Sequence, residues 1–216
     1  MPSQDIFISV GSGGNEQQEE FVAAIYERLK AEGLNPRTLG RTDWSSDAPL
    51  KPIKAIIEEC VGAVIIALER SYFPSGVVRR GHATDEIELL EVSLPTPWNQ
   101  IEAALAFSKG LPLLVIVQEG LLKEGLIEPR HDWFVQTVKV EASTLASPQF
   151  TGILSDWKSK LASEVVSGPL QKTEPGLMTV GELLKALRPR QLWAVFAAGA
   201  AALGFAFALG AKFFSQ

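Results

Sequence analysis

Apolar residues along this chain fall into two kinds of run. Short unbroken stretches, "IFISV" (6–10), "GAVIIAL" (62–68) and the run at 112–117, alternate with segments whose apolar positions recur every three or four residues. Phe21, Val22, Ile25 and Leu29 mark one such helix, which Gly33 stops. A second helix spans about 52–59 and a third about 98–109. Phe150, Leu154, Trp157, Leu161 and Val165 mark a closing amphipathic helix. "NPRTLG" (35–40) is a weaker strand, and "DWFVQTVKV" (132–140) a fifth. Strands that are apolar throughout, separated by helices, predict a parallel sheet covered on both faces. Five such units predict an α/β, flavodoxin-like five-stranded parallel sheet with helices on both faces. Ligands are then expected at the carboxyl ends of the strands, near the switch in strand order. The polar run "DEIELLEV" (85–92) reads as a solvated insertion within the loop after the third strand.

The C-terminus follows neither pattern. Residues 192–211, "LWAVFAAGAAALGFAFALGA", carry no charge over twenty positions, roughly 30 Å of helix. A buried core helix is the alternative, but the length matches a bilayer core. Trp193 and the pair Phe213 and Phe214 stand at its edges. Lys185, Arg188 and Arg190 precede it, against Lys212 after it, which predicts that the N-terminal domain stays cytoplasmic. The expected organisation is an α/β domain over 1–166, a linker and short basic juxtamembrane helix over 167–191, and a transmembrane helix over 192–214. Small pairs four apart, Ala200 with Gly204 and Ala206 with Gly210, suit self-association of that helix, and a homo-oligomer is expected.

Composition narrows the chemistry. A net charge of -5 over 216 residues offers nucleic acid no general attraction. One cysteine, Cys60, excludes a disulfide framework and a cysteine zinc site, and it reads as a buried small hydrophobe. His82 and His131, the only histidines, have no metal-ligand spacing, and no serine sits in a nucleophile elbow. No metal and no resident cofactor are expected.

Three loops should meet at the strand ends. "GSGG" (11–14) leaves backbone N–H groups beside a helix start, either an anion cradle that includes Ser9, Gly11 and Ser12 or a tight turn only. "RTDWSSDAPL" (41–50) brings Trp44 and Ser45. The third loop leads into "TPWNQIEAALA", where Glu102 lies among apolar residues, four positions after Trp98. Glu102 is either an ordinary first-turn acid that favours the helix N-terminus, or a functional carboxylate. An aromatic-lined carboxylate suits cleavage at a sugar anomeric carbon, where it can stabilise or trap an oxocarbenium-like transition state.

"IFIS", "PLKPIKAIIEECVGAVIIALERSYF" and "PWNQIEAALA" together resemble a bacterial Toll/interleukin-1 receptor (TIR) domain, over about residues 5–140. The resemblance implies the flavodoxin-like layout, NAD or a related nucleotide as substrate, and Glu102 as the catalytic residue. It places residues 41–50 beside the nucleotide site, and it implies a bacterial inner-membrane protein of immune defence. Glu102, the alanines after it and "GLP" (110–112) are also similar to nucleoside 2-deoxyribosyltransferases. A binding module that senses a nucleotide or a protein partner without catalysis is the remaining expectation.

Overall fold

A computed structural model describes residues 4–129 and 133–167. Its centre is a five-stranded parallel sheet: β1 (Gln4–Val10), β2 (Leu34–Arg37), β3 (Gly62–Ala67), β6 (Leu113–Gln118) and β7 (Phe134–Val138), in the order β2-β1-β3-β6-β7. The order reverses between β1 and β3, the switch point where open α/β sheets form a crevice at their carboxyl edge.

Pleating sends alternate residues to opposite faces, and the two faces have separate cores. On one face Ile6, Ile8, Val64, Ile66, Leu114 and Ile116 pack against α1 (Glu16–Ala31) and α4 (Pro148–Ser167). On the other, Phe7, Ala63, Ile65, Ala67, Val115 and Val117 pack against α2 (Leu50–Glu59) and α3 (Pro97–Ser108). Both faces of β3 are therefore dry, as its unbroken apolar run requires. At roughly 1.5–3 kcal/mol for each large apolar side chain, Val64, Ile65 and Ile66 of this strand contribute to both cores at once.

Two glycines matter to this arrangement, one for its backbone conformation and one for a close approach. Gly33 takes φ of +80° just past α1 and turns the chain into β2. A Cβ at Gly62 would lie 2.3 Å from Leu161 Cδ2, so its absence lets α4 close on the amino end of β3.

The strand and helix order follow the sequence pattern, with shifts at the ends: β2 stops at Arg37, β7 begins at Phe134, and α4 begins at Pro148. The insertion needs a larger correction. Residues expected as loop form an antiparallel hairpin, β4 (Ser71–Val78) with β5 (Ile87–Leu94), that pairs Phe73 with Val92 and Val78 with Ile87. Pro74 and Gly76 break its alternation, and charged residues crowd its tip, so it reads as polar loop. Ser93 O accepts from Leu122 N at its base. Leu90, 70% exposed, Tyr72 and Phe73 leave much of its apolar surface in solvent.

Among the described residues no helix is long and apolar enough to cross a membrane. The expected linker, basic helix and 192–214 span lie outside the described residues, as does His131.

Candidate active site

Helix α3 packs across β3 and β1 and carries Glu102 to the Ser9 end of β1. Thr96 caps the helix, its Oγ1 accepting from Trp98 N at 3.3 Å, and Pro97 fills the first helical position, where a missing N–H costs nothing. Glu102 therefore falls in the second turn, beyond the first-turn position that the ordinary-acid alternative requires. Ala103 and Ala106 face the sheet, both fully buried. Their small side chains let α3 approach β1 and β3 closely enough for Asn99 Nδ2 to donate to Ser9 Oγ at 2.9 Å and to Ile66 O at 3.3 Å.

Burial pushes the Glu102 carboxyl up to about 7, against the opposing pull of a side-chain hydrogen bond from Ser9. The two influences compare simply. A helix N-terminus stabilises a first-turn carboxylate by about 0.3–1 kcal/mol, whereas a rise from 4.5 to about 7 corresponds to about 3 kcal/mol. Desolvation wins. Among the described residues no cation acts on the group, so within them it is a half-buried acid without a counter-charge, beside the Ser9 hydroxyl. Such a carboxyl changes ionisation near neutral pH, the range in which acid and base groups are most useful.

Of the other expected site residues, Ser9 joins Glu102 directly and is fully buried. Trp98, 38% exposed, lies one helical turn before Glu102. Gly11 reaches the same helix start, since a Cβ on it would lie 3.4 Å from Thr96 Cγ2. Ser12 borders a small recess with Gly11, Gly13, Arg70 and Thr96. Trp44 and Ser45 are not brought to Glu102. They line a separate cavity of about 300 Å³ against α2, with Arg37, Asp43, Lys51 and Glu59, and Trp44 is 76% exposed.

The glycine loop is already engaged. Gly14 N donates to Glu19 Oε1, Asn15 N to Gln18 Oε1, and Gln18 N to Asn15 Oδ1, a complete capping box at the start of α1. Arg41 grips Glu19 with two bonds of 2.8 Å, and this holds the Glu19 carboxyl below the usual range. Arg70 Nη1 donates to Ser12 O at 2.7 Å. Three of the N–H groups that could meet an anion thus have acceptors from the chain itself.

Asn99 is the residue that sequence reasoning missed. It is fully buried and spans β1 and β3, yet an asparagine in the first turn of a helix carries no signal of this. Among the described residues no cluster of metal-binding side chains occurs.

Two solved structures are distantly similar to this chain. One is a CMP N-glycosidase of Clostridium botulinum, 15% identical, with a TM-score of 0.42 over 65% of this chain and 93% of the other. Another is the TIR domains of an activated resistosome that directly recognises a pathogen effector, 14% identical, with a TM-score of 0.36 over 81% of this chain and 92% of that one. No protein-family model matches the chain, and no curated protein matches it.

Proposed function

We propose that the chain cleaves the N-glycosidic bond of NAD or a related nucleotide, with Glu102 as the catalytic residue. The observation that carries this reading is the Glu102 carboxyl itself. It is half-buried at the switch point, beside the Ser9 hydroxyl, with no cation acting on it among the described residues. As the C1′–N bond breaks, its electron pair leaves with the base and positive charge develops on the ribose. A carboxylate in a poorly solvated crevice stabilises that charge more strongly than one in water. Water then adds at C1′ and gives up a proton, or Glu102 attacks first and water releases the sugar from the ester. Trp98 offers an apolar wall for the base or ribose.

The test is turnover of NAD, nucleoside monophosphates and free nucleosides by wild-type protein and by Glu102→Gln. The substitution keeps size and hydrogen bonding but removes charge, and activity should fall by roughly a hundredfold or more. The carboxylate is the working form, so kcat/KM should rise with pH through about 7, and a bound cationic substrate should move the same rise in kcat to lower pH. Equal turnover by both proteins sinks the reading.

A second reading is a non-catalytic nucleotide or protein sensor. One observation favours it: the cavity of about 300 Å³ is lined by Trp44 and Ser45 and contains neither Glu102 nor Trp98. Saturable nucleotide binding without turnover, lost in Trp44→Ala and kept in Glu102→Gln, would establish it.

In either reading residues 192–214 anchor a cytoplasmic domain in a bacterial inner membrane and self-associate, and service in immune defence follows the TIR resemblance alone. Deleting the chain from Met178 onward should move the protein from the membrane fraction to the soluble one. A truncated chain that still sediments with membranes removes the anchor.

A further inference from the structure

The cavity beside α2 carries its charges out of balance. Arg37 and Lys51 are the cations in its lining, and both are already engaged. Arg37 Nη1 donates to Glu59 Oε2 at 2.5 Å and to Asp5 Oδ2 at 3.2 Å, while Nη2 donates to Asp43 Oδ1 at 2.6 Å. Lys51 Nζ lies 2.8 Å from Asp47 Oδ2. Four carboxylates thus surround two cations. An entering anion would have to break the Arg37 fork to find a donor, against the field of these acids. An entering cation meets carboxylates with acceptor capacity to spare, since Arg37 takes only Oε2 of Glu59.

Acids on a surface are ordinary, but these border a concave space with an aromatic rim. Its volume of about 300 Å³ suits a small ligand or one long side chain. The chain that enters it is fixed by a tight turn. Thr38 O accepts from Thr42 N and Asp43 N, each at 3.0 Å, and Gly40 N donates to Asp43 O at 2.7 Å. Gly40 takes φ of +81°, which closes that turn. Trp44 follows directly, and its indole is 76% exposed although it lines the cavity with Leu39, Pro52 and Ile56. An indole left this open gains little from burial, and its ring offers a cation the most favourable π-face of any side chain.

We propose that this cavity is a binding site for an alkylguanidinium group, held by Trp44 and by the carboxylates of Glu59 and Asp47. Trp44 and Glu59 are both mostly exposed, so a bound cation is only partly stripped of water. A guanidinium is more weakly hydrated than an ammonium and gives up less on entering. It also stacks on aromatic rings, and its planar fork meets one carboxylate with two donors. The site contains neither Glu102 nor Trp98 and does not depend on the hydrolase reading. It gives the second reading a different ligand, an arginine side chain of a partner protein or a free guanidinium compound, in place of a nucleotide whose phosphate would meet the acids.

The experiment is ¹H–¹⁵N NMR of the full-length protein. It follows the Trp44 indole N–H, assigned by its loss in Trp44→Phe, and the Ser45 amide. Acetyl-arginine methylamide and agmatine are titrated separately, beside CMP and the citrulline analogue of the first, which keeps the shape without the charge. The arginine derivative should shift both signals saturably, with a Kd on the order of a millimolar. The citrulline analogue should bind about tenfold more weakly. Glu59→Gln, and Trp44→Leu read at Ser45, should each weaken arginine binding about threefold or more. Both side chains are largely exposed, so the variants keep the fold. Tighter binding by the blocked arginine assigns the site to a partner chain, and tighter binding by agmatine assigns it to a free compound. The proposal is overturned by a citrulline analogue that binds as well as arginine, by binding unchanged in either variant, or by no saturable shift. CMP that binds at Trp44 where the arginine derivative does not also overturns it, and restores the nucleotide ligand of the second reading. Loss of the hydrolase reading through Glu102→Gln leaves these outcomes untouched.

Discussion

The loop after β1 and the first turns of α3 lie side by side at the carboxyl edge of the sheet, with Gly11 against Thr96, yet their polar groups are treated in opposite ways. In the loop, Asn15 and Gln18 cap each other, Glu19 takes Gly14 N and both ends of the Arg41 guanidinium, and Arg70 covers the Ser12 carbonyl. On α3, Glu102 is largely desolvated and, among the described residues, has no cation acting on it, while Asn99 leaves a buried oxygen without a partner among them. Two glutamates a few residues from the same edge therefore shift in opposite directions, Glu19 down and Glu102 up. A closed network of this sort holds structure. The uncompensated one stores free energy that chemistry can use.

Stability measurements sharpen that contrast most strongly at Glu102. Its folded pKa lies above its unfolded value, so its contribution to stability is fully present below about pH 4.5 and is lost as pH rises through about 7. Glu102→Gln should therefore unfold at a higher denaturant concentration than wild type at pH 8, by about 2–3 kcal/mol, and the gain should vanish at pH 4. A variant no more stable at pH 8 breaks the comparison at its main point. The loop should respond in the other direction. Removing the α1 cap by Asn15→Ala should cost about 1 kcal/mol in chemical unfolding at every pH and leave turnover of any nucleotide substrate unchanged. A large loss of turnover there would make the loop part of the site. Smallest is Glu19→Gln, which breaks a half-exposed ion pair and should cost no more than about 1 kcal/mol at pH 7. Because the Glu19 carboxyl is held low, that cost is present above about pH 4.5 and fades as pH falls, the mirror of Glu102. Parallel pH dependences for the two variants would contradict the opposed shifts.

The sequence pattern carried most of the sheet because β3 and β6 are dry on both faces, and a short unbroken apolar run between helical segments suits a covered parallel strand better than any half-exposed element. Glu102 could be singled out for a related reason: a charge set among Ile101, Ala103, Ala104 and Leu105 departs from its surroundings. What could not be read were features that depend on distant partners. Asn99 acts on Ser9, 90 residues away, and an asparagine near a helix start has many ordinary uses. Trp44 looked as apt for the pocket as Trp98, but the loop that carries it turns toward α2. The hairpin escaped because a two-stranded ribbon with solvent on both sides imposes no inside and outside on its residues, and Phe73 and Leu90 are exposed on it.

The missing side chain at Gly62 has a practical consequence. Trp157 and Leu161 of α4 settle over that glycine, Trp157 Nε1 donates to Pro112 O, and Lys158 Nζ donates to Glu32 O. All of these anchor points lie where strands begin, so the last described helix is clamped there, on the sheet face opposite α3. Surface capture through a handle engineered onto α4 near Lys160 would hold the domain by that face and leave the α3 face, with Glu102, turned to the solution.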